Sequence, residues 1–136
     1  MISFVSDQGT VLHRVLDCNL VTAHDSISNE EEPLQVQVSL RRAGEKPEAH
    51  QHLSHQKDGV EKIQESWYVV SGKLLCHFYD DQNEHLESLV LGAGWLCVTY
   101  AGGHAFEVLE EAVLLEHKTG PYLGRVNDKL IFPTRE

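Results

Sequence analysis

The feature that most constrains this fold is a series of short segments in which apolar and polar residues alternate. The clearest is residues 34–40, LQVQVSL, where every second residue is apolar, which is the period of a half-buried strand. Six further segments are rich in β-branched or aromatic residues and are bounded by Gly, Asp or Asn: 65–71, 73–80, 85–91, 94–100, 104–110 and 112–118. These strands, with little helical periodicity, predict an all-β fold, because a sheet must bury its apolar face against another sheet or against itself.

Turn residues between the strands predict antiparallel hairpins. Gly72 predicts a tight turn between two of the strands, and the polar segment 80–84, DDQNE, predicts a hairpin loop. Near the N-terminus, residues 11–21 fit either a strand or a short helix, and the acidic segment 24–33 fits a surface loop. A chain of 136 residues has the size of a single domain. We therefore expect one domain over residues 1–136, with its core at about 34–118.

Composition excludes several classes of partner. The 21 acidic and 11 basic residues give a formal charge of −10, which disfavours nucleic acid and anionic lipid surfaces. No long apolar run and no basic, apolar leader is visible, so we expect a cytoplasmic protein that does not enter a membrane. The three cysteines are odd in number and form no Cys-x-x-Cys pair. They are expected to be reduced and dispensable for metal binding.

The nine histidines are unusual for this length, and their placement suggests a metal site. His50 and His52 lie two residues apart, so on a strand both rings point to the same side. Glu65 begins an apolar strand, where a buried carboxylate is costly unless a cation or hydrogen bonds compensate it. His104 follows a Gly-rich turn and shares its predicted face with Phe106. Such a nitrogen and oxygen ligand set suits one divalent transition metal (Fe, Mn, Ni or Zn) and leaves positions open for water or substrate.

The spacing of these residues resembles a known sequence motif. From Gly44 to Gly72 the chain reads G(X)5HXH(X)12E(X)6G, which resembles the first motif of the cupin superfamily, and residues 94–104 resemble the second. The resemblance implies a small cupin-type β-barrel of two antiparallel sheets, jelly-roll-like and often homodimeric. It also implies four metal ligands: His50, His52, Glu65 and His104.

The chain departs from the family pattern in two places. Twelve residues, 53–64, separate the second histidine from the glutamate, where the family has three or four, so an extended loop is expected to gate the barrel mouth. In the second motif the usual Pro is missing, one residue rather than two lies between Gly102 and His104, and no Asn follows.

The resemblance also leads to functional expectations. Residues 102–110 and 116–132 resemble a subgroup of small, poorly characterised cupins, several of which occur near surface-polysaccharide and sugar-nucleotide genes. This implies a metal-dependent protein for a small polar ligand, such as a sugar or sugar derivative, with isomerisation, epimerisation or dioxygenation as candidate reactions. The alternatives are a non-catalytic metal-binding or ligand-sensing cupin and a metal-free sugar-nucleotide isomerase. Catalytic residues stay unassigned, and the substrate pocket is expected to include Trp67, Tyr100, Phe106 and His55.

Overall fold

A computed structural model of the protein describes residues 1–53 and 63–134. Within these residues a 3-10 turn lies at Cys18–Leu20 and a one-turn helix, α1, at Arg125–Asp128, and no helix is long and apolar enough to cross a membrane. The remaining elements are strands, so the all-β prediction is confirmed. In chain order they are β1 (Ile2–Val5), β2 (Val11–Val15), β3 (Asp25–Ser26), β4 (Leu34–Arg41), β5 (His50–His52), β6 (Glu65–Tyr79), β7 (His85–Gly92), β8 (Leu96–Thr99), β9 (Gly103–Thr119) and β10 (Lys129–Ile131).

Two long strands, β6 and β9, organise the fold. They pair antiparallel along their whole length, from Glu65 opposite Lys118 to Tyr79 opposite Gly103. Shorter strands flank the two ends of this ribbon. The result is two five-stranded halves, β3-β4-β9-β6-β8 and β10-β5-β9-β6-β7, which share the two long strands.

The two halves lie face to face. The rings of Trp67 and Phe106 are 5.8 Å apart, yet the partner of Phe106 on β6 is Cys76. Nine residues separate Trp67 from Cys76, about 30 Å along an extended strand. The long strands must therefore bend back on themselves, which confirms the predicted pair of antiparallel sheets. The core enclosed between them consists of Trp67, Val69, Leu74, Cys76, Leu91, Phe106, Val108, Ala112 and Leu114.

The prediction of a tight turn at Gly72 is wrong. Gly72 lies inside β6 with φ +84°, where the register with β9 shifts. A Cβ atom there would lie 2.2 Å from the carbonyl oxygen of Glu111 and 2.5 Å from the Cα of Ala112. The glycine thus allows a β-bulge at which the strand bends, and bulges of the glycine type use the same positive φ as several tight turns. Residues 65–71 and 73–80, predicted as two strands, form the single strand β6. Residues 104–110 and 112–118, also predicted as two strands, form the single strand β9.

The strands at the two ends of the chain differ in what they pair with. In the described residues β1 and β2 pair only with each other, and the region that fitted a strand or a helix contains strand β2 followed by the 3-10 turn. The predicted surface loop 24–33 includes the two-residue strand β3. At the other end, β10 pairs with β5 and carries the sheet beyond residue 118. The predicted loop 53–64 lies mostly outside the described residues, because the description stops at residue 53 and resumes at 63.

Candidate metal centre

Three strands supply the four predicted ligands. His50 and His52 belong to β5, Glu65 begins β6, and His104 is the second residue of β9. The register pairs His50 directly with His104. Glu65 instead pairs with Lys118, fourteen residues along β9 from His104, about 46 Å on an extended strand. The carboxylate reaches the three imidazoles because β6 and β9 bend back on themselves and bring the two ends of the ribbon face to face.

The four side chains converge on one point. Glu65 Oε2 lies 2.8 Å from His52 Nε2 and 3.0 Å from His104 Nε2. The rings of His50 and His104 have centroids 4.6 Å apart, and one ligand atom from each of the four residues lies within 4.8 Å of the others. The side chains of His52, His104 and Glu65 are only 3, 4 and 11% exposed. The structure therefore brings together all four residues selected from the sequence.

Each imidazole is held by a second group at its Nδ1 atom. A backbone carbonyl can only accept, so the carbonyl partner of His50 requires a proton on Nδ1 and leaves the Nε2 lone pair free in the neutral ring. Metal-binding histidines typically show this arrangement, in which one ring nitrogen faces a supporting group and the other is free for the ion. The three Nδ1 contacts are His50 to the Glu48 carbonyl oxygen at 3.0 Å, His104 to Thr99 Oγ1 at 3.2 Å and His52 to Asp128 Oδ2 at 3.3 Å.

In the metal-free centre, the pKa values of the two histidines on β5 are shifted in opposite directions. Burial, reinforced by the charge on His104, lowers the pKa of His50 to about 4. Burial alone would also lower the pKa of His52, but the Asp128 and Glu65 carboxylates beside the ring outweigh it and raise the pKa to about 9. Burial would raise the pKa of Glu65, yet hydrogen bonds from His104 and His52 hold it well below its usual range. Without metal, a buried imidazolium and a carboxylate thus stabilise each other.

Asp128 is a site residue that the sequence analysis missed. It is completely buried on α1, and its Oδ2 lies 2.9 Å from Lys118 Nζ as well as near His52. Burial would raise the pKa of Asp128, but the neighbouring His52 imidazole and a hydrogen bond from Lys118 lower it to about 2. No motif spacing links position 128 to the histidines. The only local signal was the short apolar stretch that follows it, residues 130–132.

Two further charged groups lie on the same inner surface. Glu116 pairs with Trp67, and Lys129 pairs with His52 across β10 and β5. Burial and then the charge of Glu65 raise the pKa of Glu116, and burial and then Lys118 lower that of Lys129. Among residues 1–53 and 63–134, neither group has an oppositely charged partner within 4 Å.

The predicted pocket residues differ in how deeply they are buried. Trp67 and Phe106 are 2 and 9% exposed and belong to the core, and the Trp67 ring lies 5.8 Å from that of His104. Both residues therefore form a wall behind the centre. Tyr100 is 65% exposed and lies at the surface. His55 lies outside the described residues.

The donor set fits a divalent transition metal. Three imidazole nitrogens and one carboxylate oxygen are ligands that Fe, Mn, Ni and Zn share in proteins. The four groups lie close enough to bind one ion. The Nε2 atoms of His52 and His104 lie beside the Glu65 carboxylate, and the Nδ1 contact of His50 leaves its Nε2 lone pair free to bind such an ion.

Comparisons with known proteins agree on the fold. No protein-family profile and no curated protein sequence matches the chain. The capsular polysaccharide assembling protein CapF from Staphylococcus aureus matches 98% of this chain and 34% of its own, with 17% identity and a TM-score of 0.65. An uncharacterized conserved protein with a double-stranded β-helix domain from Klebsiella pneumoniae matches 90% of this chain and 100% of its own, with 14% identity and a TM-score of 0.64.

A third match is oxalate decarboxylase from Bacillus subtilis, over 74% of this chain and 24% of its own, with 20% identity and a TM-score of 0.58. These are cupin-fold proteins, and the chain has the cupin fold. It spans about a third of the length of CapF and about a quarter of that of the decarboxylase.

Proposed function

We propose that this protein is a metal-dependent cupin that binds a small polar molecule at the centre formed by His50, His52, Glu65 and His104. The observation that carries the proposal is the arrangement of the imidazoles: every Nδ1 contacts another group, and one ligand atom from each of the four residues lies within 4.8 Å of the others. A bound divalent metal would supply Lewis acidity or, if it were iron, a site for O₂.

We propose Glu116 as the proton-transferring residue of an isomerisation or epimerisation. Such reactions require a group that accepts and returns a proton next to the bound ligand. In the ladder of β6 and β9, Glu116 is the diagonal neighbour of Glu65, so the two Cα atoms are about 7–8 Å apart. Its carboxylate has no cationic partner within 4 Å in the described residues, and burial favours its protonated form. Glu116→Gln is expected to retain metal and ligand while losing turnover.

A sugar or sugar derivative is the ligand class we propose. The similarity to CapF, described as a capsular polysaccharide assembling protein, supports this choice. The inner surface also offers Glu116 and Lys129 as polar groups without ion-pair partners in the described part of the chain. Titration with sugar nucleotides and with free sugars, followed by calorimetry, tests the class directly. Binding of neither set by metal-loaded protein would contradict it.

Elemental analysis of protein purified without a histidine tag tests the metal centre. We expect about one divalent transition metal per chain, and a lower content in both His104→Ala and Glu65→Gln. Glu65→Gln is the sharper variant, because it keeps the shape and removes the charge. One metal per chain in both variants would refute the four-ligand assignment. Oxygen uptake with candidate substrates then separates dioxygenation from isomerisation, and metal without any turnover indicates a ligand-sensing role.

The second candidate function is a metal-free acid–base site. It is favoured by one observation, the contact between His52 Nδ1 and the buried carboxylate of Asp128, since a carboxylate behind a histidine orients the ring for proton transfer. In this case a sugar-nucleotide isomerase would use His52 as its acid or base. The absence of stoichiometric metal in active protein would establish this alternative over the first.

We also propose that a second copy of the chain is a partner. Tyr68, Leu96 and Val98 lie side by side on β6 and β8 and are 37, 60 and 42% exposed. Two chains of charge −10 repel each other, so an uncharged apolar surface such as this one favours their association. Sedimentation equilibrium is expected to show a dimer that Val98→Asp dissociates. A monomeric wild-type chain at high micromolar concentration would contradict the proposal.

A further inference from the structure

We propose that Asp128 is a positioning residue for the metal centre, which fixes the ring of His52 so that Nε2 is presented to the ion. This inference rests on the proposed metal-binding function. It assigns a role to a residue outside the set of four ligands and outside both sequence motifs.

The first argument is the placement of the carboxylate. Asp128 is completely buried, and one oxygen, Oδ2, contacts both His52 Nδ1 at 3.3 Å and Lys118 Nζ at 2.9 Å. The Lys118 side chain is itself only 14% exposed. A buried carboxylate is costly without compensation. Lys118 provides that compensation, so Asp128 can stay ionised beside the imidazole.

The second argument is that the backbone fixes Asp128 relative to the ligand. The next residue, Lys129, is the register partner of His52 in the pairing of β10 with β5. The Asp128 carbonyl oxygen accepts a hydrogen bond from the backbone N–H of Leu53 at 2.9 Å. Asp128 is therefore tied to the chain on the C-terminal side of His52 by main-chain contacts, and its side chain has little freedom to move away from the ring.

The third argument is the chemical difference among the three histidine anchors. His50 and His104 are held by a carbonyl and a hydroxyl, whereas His52 alone is held by a carboxylate. A proton on Nδ1 that faces a carboxylate fixes the tautomer and increases the basicity of Nε2 as a ligand. The anchor of His52 should therefore contribute more to metal affinity than either neutral anchor.

Metal affinity measured by competition with a chromophoric chelator, using Zn²⁺ alone, tests this role. Asp128→Ala is expected to weaken zinc binding by about 10- to 100-fold, the range typical of groups that contact a metal-binding histidine without binding the metal. Asn127→Ala is the matched control, because Asn127 is the preceding residue of α1, is exposed, and in the described structure its side chain bonds only to the Leu123 carbonyl. It should bind zinc as the wild type does.

A double-mutant cycle distinguishes positioning from general stabilisation. In the His52→Ala background, Asp128→Ala should cost no further affinity, because the carboxylate acts through that ring. An equal loss in both backgrounds would overturn the proposal, and so would an Asp128→Ala variant that binds zinc like the wild type. Failure of the wild-type chain to bind zinc would instead refute the proposed function itself.

A measurement on the wild type keeps the inference testable if Asp128→Ala does not fold. In the zinc-loaded protein, long-range ¹H–¹⁵N spectra of the histidine side chains should show a proton on His52 Nδ1 and zinc on Nε2. Exchange of that proton with water should be slow, because it is buried against the carboxylate. Zinc on Nδ1, or a rapidly exchanging Nδ1 proton, would overturn the role assigned to Asp128.

Discussion

The stability of the metal-free protein should fall as the pH rises from 6.5 to 9. His52 has a pKa of about 9 in the folded chain and an ordinary value of 6.5. Between these values the folded state binds more protons than the unfolded state, so raising the pH favours unfolding. The contribution of His52 is complete below pH 6.5 and is lost as the pH passes 9.

The magnitude follows from the two pKa values. A difference between 6.5 and about 9 corresponds to at most about 3 kcal/mol, a large share of the 5–15 kcal/mol typical of a domain. The neighbouring groups act elsewhere on the pH scale. His50, with its pKa lowered to about 4, changes stability between 4 and 6.5, and Asp128, lowered to about 2, acts below 4. Of these three groups, only His52 changes stability between pH 6.5 and 9.

Urea unfolding at pH 6.5, 7.5, 8.5 and 9.5 in the presence of a chelator measures the effect. Glu65→Gln removes one of the two carboxylates that stabilise the imidazolium, so its stability should depend less on pH in this window. His13→Gln, at an exposed position of β2, should retain the wild-type slope. Saturating zinc should reduce the loss, because metal replaces the proton on His52. Stability that is flat or rises with pH in the metal-free wild type would refute the reasoning.

Three other predictions follow from the fold and the site. Gly72→Ala should destabilise the chain by at least about 2 kcal/mol in urea unfolding, since its Cβ would meet the backbone of β9; Gly94→Ala, with φ +87° but no atom within 4 Å, should cost less, and equal losses would contradict the close-approach argument. Replacing all three cysteines by Ala should leave metal content unchanged, and a drop would place a thiolate in the site. His104→Ala should lower metal occupancy. It should also abolish the stabilisation by excess metal, which in the wild type is about 2.7 kcal/mol at a free metal concentration of a hundred times Kd and raises the melting temperature.

The positions of the strands were predictable from sequence because β-branched and aromatic residues are concentrated in them and turn residues bound them. Residues 34–40 form β4 as predicted, but their burial does not follow the period, because Gln35 and Ser39 are 5 and 0% exposed while Leu34 is 59% exposed. Continuity between strands was not predictable. A glycine at positive φ serves a turn and a bulge equally well, and only the approach of Glu111 and Ala112 in the folded chain distinguishes the two for Gly72. Local sequence records the conformation of a residue but not which distant strand approaches it.

The contrast between local sequence and distant contacts also explains which site residues could be predicted from the sequence. His50 and His52 are two positions apart on one strand, and the motif spacing places Glu65 and His104 with them, so chemistry and spacing together were enough to select four residues that converge. Asp128 has no such spacing, because it reaches His52 through the pairing of β10 with β5. A ligand must match the geometry of an ion, and this restricts its residue type and its position. A supporting carboxylate must match only one imidazole N–H, and any element that passes behind the ring can supply it. The residues that tune such a centre are therefore less apparent in a sequence than those that bind the metal, although their removal is expected to be measurable in the same titration.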